Sequence, residues 1–131
     1  MMSIVRKTGL LIAATVLAMS VHAQEGHPLK GSWIGEWKGN KAGDFLFLVL
    51  DWDGKNVTGT INPGQDDMKI KTATLNPADW SVHIEADGKV DGKAVTYQLD
   101  GKIQNLELPS RSIVGTWKNQ NGSGALEVVR Q

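Results

Sequence analysis

From residue 31 onward apolar and polar positions alternate with a period of two, and no stretch holds a helical period over three turns. The chain reads as all-β. Gly31 to Lys38 sets Trp33, Gly35 and Trp37 on one face of a first strand and Ser32, Ile34 and Glu36 on the other. Asp44 to Trp52 is apolar on both faces, with Phe45, Phe47 and Val49 opposite Leu46, Leu48 and Leu50, a pattern that requires cover on both sides. Asp53-Gly54 predicts a tight hairpin into Asn56 to Ile61. Asn62-Pro63-Gly64 ends that strand, and a polar loop leads to Lys69 to Leu75. After Asn76-Pro77, the run Asp79 to Ala86 predicts Trp80, Val82 and Ile84 on a buried face, with Ser81, His83 and Glu85 outward. Asp87-Gly88 and Asp91-Gly92 mark the next turn. Lys93 to Leu106 then carries Val95, Tyr97, Leu99, Gly101 and Ile103 on one side, with Gly101 placing a bend. Arg111 to Lys118 and Gly124 to Arg130 complete the set of eight predicted strands.

Eight antiparallel strands with short turns and no helix to cover a face remove their edges by curling until first and last pair. An eight-stranded antiparallel up-and-down β-barrel is therefore the expected fold, with a β-sandwich of two four-stranded sheets as the alternative. Such a barrel has an interior that takes either side chains or one small ligand.

The first residues stand apart from this pattern. Arg6 and Lys7 precede an apolar run, Gly9 to Ser20, too short for a ~30 Å bilayer, and Val21-His22-Ala23 has the small-residue form of a cleavage site. We read residues 1–23 as a secretory signal peptide and 24–131 as one domain, periplasmic or secreted and not held at a membrane after cleavage. The 14 Lys and Arg balance the 14 Asp and Glu, so no basic footprint for nucleic acid exists. The absence of cysteine removes disulfides, thiolate metal sites and a Cys nucleophile. Stability must come from packing.

Three Gly-x-Trp steps, Gly31-Ser32-Trp33, Gly35-Glu36-Trp37 and Gly115-Thr116-Trp117, resemble the signature of lipocalin and avidin-like barrels, the calycins. In those families the glycine lets the first strand bend and the tryptophan packs across the closed end. The wider layout, with Asp53-Gly54-x-x-Val57-Thr58-Gly59-Thr60 and a last apolar strand ending in Arg130, is similar to small β-domains found on secreted bacterial hydrolases. The resemblance implies the barrel and transfers no binding site.

The tryptophans are the most informative candidates. Each buries ~150–250 Å² when fully enclosed, an upper bound of ~4–6 kcal/mol by area. Either they form the core, or Trp33, Trp37, Trp52, Trp80 and Trp117, together with Tyr97, line a pocket for a small hydrophobic or amphipathic ligand. Trp33 and Trp37, ~13 Å apart along one strand, would then hold the two ends of an elongated molecule, and Trp52 would stand at a barrel mouth. A carbohydrate-binding module using Trp37 or Trp52 as an outer stacking platform is a second reading. A third is an interaction scaffold with a filled core, in which Phe45, Phe47 and Val49 supply a partner or homodimer surface. A barrel-type isomerase comes last.

His83 and Glu85, about 7 Å apart on one strand face, have the spacing of two metal ligands or an acid/base pair, without an evident third ligand. Asp51, Asp53 and Asn56 read as a hairpin rather than a calcium loop, since the twelve-residue ligand spacing is missing. No catalytic motif, metal site or cofactor is assigned. Arg111 and Arg130, brought together by the last hairpin, either clamp an anion or cap a barrel end.

Overall fold

The computed structural model describes residues 26–41, 43–64 and 67–131, so the proposed signal peptide lies outside the described residues. The strands are β1 (Gly31–Trp37), β2 (Phe45–Trp52), β3 (Val57–Ile61), β4 (Met68–Asn76), β5 (Ser81–Val90), β6 (Lys93–Gln104), β7 (Ser112–Lys118) and β8 (Ser123–Arg130). Each pairs antiparallel with its neighbour in sequence, and β8 returns to β1 through Trp33↔Arg130, Gly35↔Val128 and Trp37↔Leu126. The fold is the expected closed up-and-down barrel, compatible with a calycin-like architecture.

Closure demands close backbone contact. A Cβ on Gly35 would lie 1.9 Å from the carbonyl oxygen of Glu127, and one on Gly115 would lie 1.9 Å from that of Asp100. Only glycine lets β1 and β7 curl this tightly against their neighbours. The β3–β4 ladder is the shortest, limited to Thr60↔Lys69 and Ile61↔Met68, and β4 carries a bulge between Ile70 and Thr72 that the alternation did not announce.

Alternation places side chains as the sequence implied. Leu46, Leu48 and Leu50 point inward with Val82, Ile84, Val95, Tyr97, Leu99, Ile103, Ile113, Leu126 and Val128, while Phe45 faces out. Three expectations need correction. Trp80 is not in a buried strand position. It sits in the β4–β5 turn with φ of 60° and is 38% exposed, because Asn76 holds the turn through Trp80 N–H and Ala78 N–H, and Asp79 Oδ1 accepts from Ser81. The turn expected at Asp87-Gly88 is continuous strand, and the chain reverses only at Asp91-Gly92, both at positive φ. Gly88 is there to make room, since a Cβ would come 2.9 Å from Met68 Cγ and 3.2 Å from Tyr97 Cε2. The sixth strand stops at Gln104 rather than Leu106, where Asn105 turns to φ of 58°.

Both ends of the barrel are occupied. At one, residues 26–30 fold across the opening and seat Leu29 in the core, where Trp33 Nε1–H donates to the Leu29 carbonyl at 2.8 Å. At the other, Trp37 stacks on Tyr97 with centroids 5.0 Å apart, and Trp117 tilts against both. Tyr97 donates to Asn40 Oδ1 at 3.2 Å and Trp117 Nε1–H to the Lys38 carbonyl at 2.9 Å, so the polar tips of these rings meet the loop that follows β1.

Candidate functional site: the outer face of strands β2, β1, β8 and β7

The interior holds side chains where the sequence left room for a ligand. Between Leu48, Val82, Ile84, Leu99, Ile113 and Leu126 the remaining cavity is about 10 Å³, no more than the space one water needs. Of the residues read as a ligand set, Trp33, Trp37, Tyr97 and Trp117 are core, with Trp33 at the plugged end and the other three grouped at the opposite one. Trp37 offers no ring face to solvent. Trp52 is half-buried beside the β2–β3 turn, its ring 5.9 Å from that of His27, and Trp80 stands alone on its turn. The six side chains therefore do not line one pocket.

Arg111 and Arg130 are brought together as caps of the plugged end rather than as an anion clamp. Arg111 donates to the Pro28 carbonyl and Arg130 Nε to the Lys30 carbonyl at 3.0 Å, and the two residues share a backbone bond from Arg130 N–H to Arg111 C=O. Burial pushes the His27 pKa down, and its Nδ1 accepts from Leu29 N–H at 3.1 Å, a bond that suits neutral imidazole.

His83 has a partner that linear spacing could not reveal. Asp100, opposite it on β6, meets Nδ1 at 2.5 Å, while Glu85 is 3.3 Å from Nε2. This trio lies on the outer surface, and among the described residues no His, Cys, Asp and Glu group has the arrangement of a metal site. The Asp100 hydrogen bond raises the His83 pKa above its ordinary value, with Glu85 adding to it against the desolvation of the ring. Because the folded pKa lies above the unfolded one, the stabilisation is complete below pH ~6.5 and fades as pH climbs through the folded value. His83 is 40% exposed, so screening holds this to at most about 1 kcal/mol. Urea denaturation should show wild type losing more stability than Asp100→Asn between pH ~6 and ~8.5, with equal losses contradicting the assignment.

The two-sided strand β2 leads to the feature that stands out. Its outward residues continue a band across the closing seam, in which Phe47 pairs with Ile34 on β1 and Ile34 with Val129 on β8. One pleat away, Phe45 pairs with Glu36, Glu36 with Glu127, and Glu127 with Val114 on β7. Phe45, Ile34 and Val114 are 59%, 39% and 37% exposed, and Val49 and Val129 are half-buried beside them. Over β8 this band dips into a groove of about 450 Å³, floored by Ala125, Glu127 and Val129 and walled by Ile34, Glu36 and Lys38 on one side and Val114 on the other. Gly35, Gly115 and small Ala125 all line this hollow. Glu36 and Glu127 lie directly opposite each other with no ion-pair partner among the described residues.

No family model, curated protein or solved structure matches the chain.

Sequence reasoning singled out Phe45, Phe47 and Val49, but missed Ile34, Val114 and Val129. Each of these reads as a lone outward apolar residue on its own strand. They form a surface only because β1 closes on β8.

Proposed function

We propose that this protein is an exported β-barrel with a filled core that acts as a protein-docking module through the outward apolar band on β2, β1, β8 and β7. The observation that carries the reading is the run Phe47–Ile34–Val129 in one register row, extended by Phe45, Val49 and Val114, on a barrel whose interior leaves about 10 Å³. Contiguous exposed apolar surface is costly to keep in water and marks a place where something docks. A ligand inside the barrel would have to displace packed leucine and isoleucine side chains, and a sugar platform on Trp37 would need that ring turned out of the core.

Export rests on Arg6, Lys7, the apolar run and Val21-His22-Ala23, and places the module in the periplasm or outside the cell. The calycin-like reading is supported by Trp33 packed at the plugged end.

A neutral apolar probe, N-phenyl-1-naphthylamine, separates the outer face from the interior when titrated while methyl NMR shifts are followed. We expect Ile34, Val49, Val114 and Val129 to move. Movement confined to Leu48, Ile84, Leu99 and Leu126 would instead place binding inside the barrel.

A further inference from the structure

The segment ahead of β1 is tied to the barrel by side chains and by none of its ladders. The strand pairings of β1 begin only at Gly31↔Leu50 on one side and Trp33↔Arg130 on the other. Three successive carbonyls of the segment instead accept from three different side chains, Pro28 from Arg111, Leu29 from Trp33 Nε1–H at 2.8 Å and Lys30 from Arg130 Nε at 3.0 Å. His27 bends the segment into this shape, its carbonyl accepting from Lys30 N–H at 3.0 Å and its Nδ1 from Leu29 N–H at 3.1 Å. Leu29, held between these bonds, is fully buried. We propose that residues 26–30 form an acid-released latch, in which a proton on His27 unseats Leu29 and lifts the segment from the barrel end while the eight strands stay closed.

Neutral imidazole has one nitrogen lone pair to offer, and here it meets Leu29 N–H. Imidazolium donates from both nitrogens, so protonation sets two N–H groups against each other and takes from Leu29 N–H its side-chain acceptor. Nothing around the ring compensates the charge. His27 is half-buried, with Trp52 at 5.9 Å, and forms no ion pair among the described residues. Of the charged groups on the surrounding elements, Arg111 and Arg130 are bound to the Pro28 and Lys30 carbonyls, and Asp51 and Asp53 accept from backbone N–H groups at the β2–β3 turn. Lys30, Lys55 and Glu107 make no ion pair among the described residues.

Burial as the cause means that seating lowers the His27 pKa. Seating is therefore complete above the ordinary histidine value of ~6.5 and weakens as pH falls from there through the seated value, about tenfold for each unit of lowering. Gly31 is the joint on which the segment turns. It sits at φ of 136°, and a Cβ there would lie 2.8 Å from Arg130 Nε, the group that holds Lys30. Opening of this kind parts no strands. It uncovers the Leu29 seat and the Trp33 ring beside it, so acid turns a sealed barrel end into an open apolar one.

Indole N–H exchange followed by NMR on the intact protein tests the latch. Trp33 Nε1–H reports it because its acceptor is the Leu29 carbonyl, and Trp117 Nε1–H, bonded to the Lys38 carbonyl at the far end, is the internal reference. Corrected for intrinsic rates, Trp33 exchange is expected to accelerate at least about threefold between pH ~7.5 and ~5 with Trp117 unchanged, by the factor that the His27 pKa read from its ring resonances requires. His27→Gln, which keeps an acceptor but takes no proton, should abolish the response, and His83→Gln should leave it intact. A His27 pKa at or above ~6.5, Trp33 exchange that ignores pH, or a response that survives His27→Gln would each overturn the proposal. So would Trp117 accelerating alongside Trp33, since the whole barrel would then be loosening.

Discussion

Replacing Trp37 with alanine is expected to cost about 3–5 kcal/mol, the usual toll of deleting a buried aromatic ring. The ring is fully buried, stacks on Tyr97 at 5.0 Å and abuts Trp117 at 5.9 Å, so its loss leaves a void between two rings that are themselves tied to the loop after β1. Trp37 Nε1 has no hydrogen-bond partner among the described residues, so the loss is one of packing rather than of a polar contact. For a domain whose whole stability is ~5–15 kcal/mol, and which has no disulfide to limit its unfolded state, that penalty is a large share. Urea denaturation followed by circular dichroism at 25 °C should show the unfolding free energy lowered by that amount, with the midpoint moved to lower urea. Phe45→Ala, which removes an aromatic of the outer face, should leave the midpoint almost unmoved.

Gly35→Ala is expected to be as damaging for the opposite reason. Here an atom is added where backbone already stands, 1.9 Å from the Glu127 carbonyl oxygen, and no rotamer change can move a carbonyl that is part of the β1–β8 ladder. The collision exceeds ordinary overpacking, which costs about 1–3 kcal/mol, and relieving it means parting the two strands that close the barrel. Amide hydrogen exchange should locate the damage, with protection lost first along Trp33–Trp37 and Leu126–Arg130. Retained protection there with a wild-type midpoint would show that the strands do not approach as described.

These two positions also mark what sequence can and cannot say. The Gly-x-Trp steps and the period-two alternation were legible because each strand buries one face, and the Asp53-Gly54 hairpin because Asp53 accepts from Lys55 and Asn56 N–H groups, which also holds its pKa down. Trp80 was misplaced because the turn chemistry of Asn76 and Asp79 starts the strand at Ser81, two residues later than alternation implies. Gly88 read as a turn residue because Gly after Asp signals a turn locally, whereas its actual reason, the side chain of Met68, stands on the neighbouring strand β4. Asp100 was invisible as the partner of His83 because their juxtaposition is a matter of cross-strand register.

The candidate site was half legible for the same reason. Strand β2 declared itself by being apolar on both faces, but whether the inner face meets a ligand or other side chains depends on how volumes add around a closed ring. Alternation fixes the direction of a side chain and not the space left between opposing ones. The plug shows this well. Leu29 precedes the first strand without any periodic signal, yet it fills the end that Trp33 alone would leave open.

The central claim is that the interior is full, so that whatever this protein meets, it meets on its outside. Methyl NMR under xenon pressure tests this most directly, since xenon enters dry apolar cavities of the order of 150 Å³ and ignores well-packed cores. The account predicts that the methyls of Leu48, Val82, Ile84, Leu99, Ile113 and Leu126 hold their shifts across the titration. Saturable shifts at those methyls would reveal an interior void and contradict it.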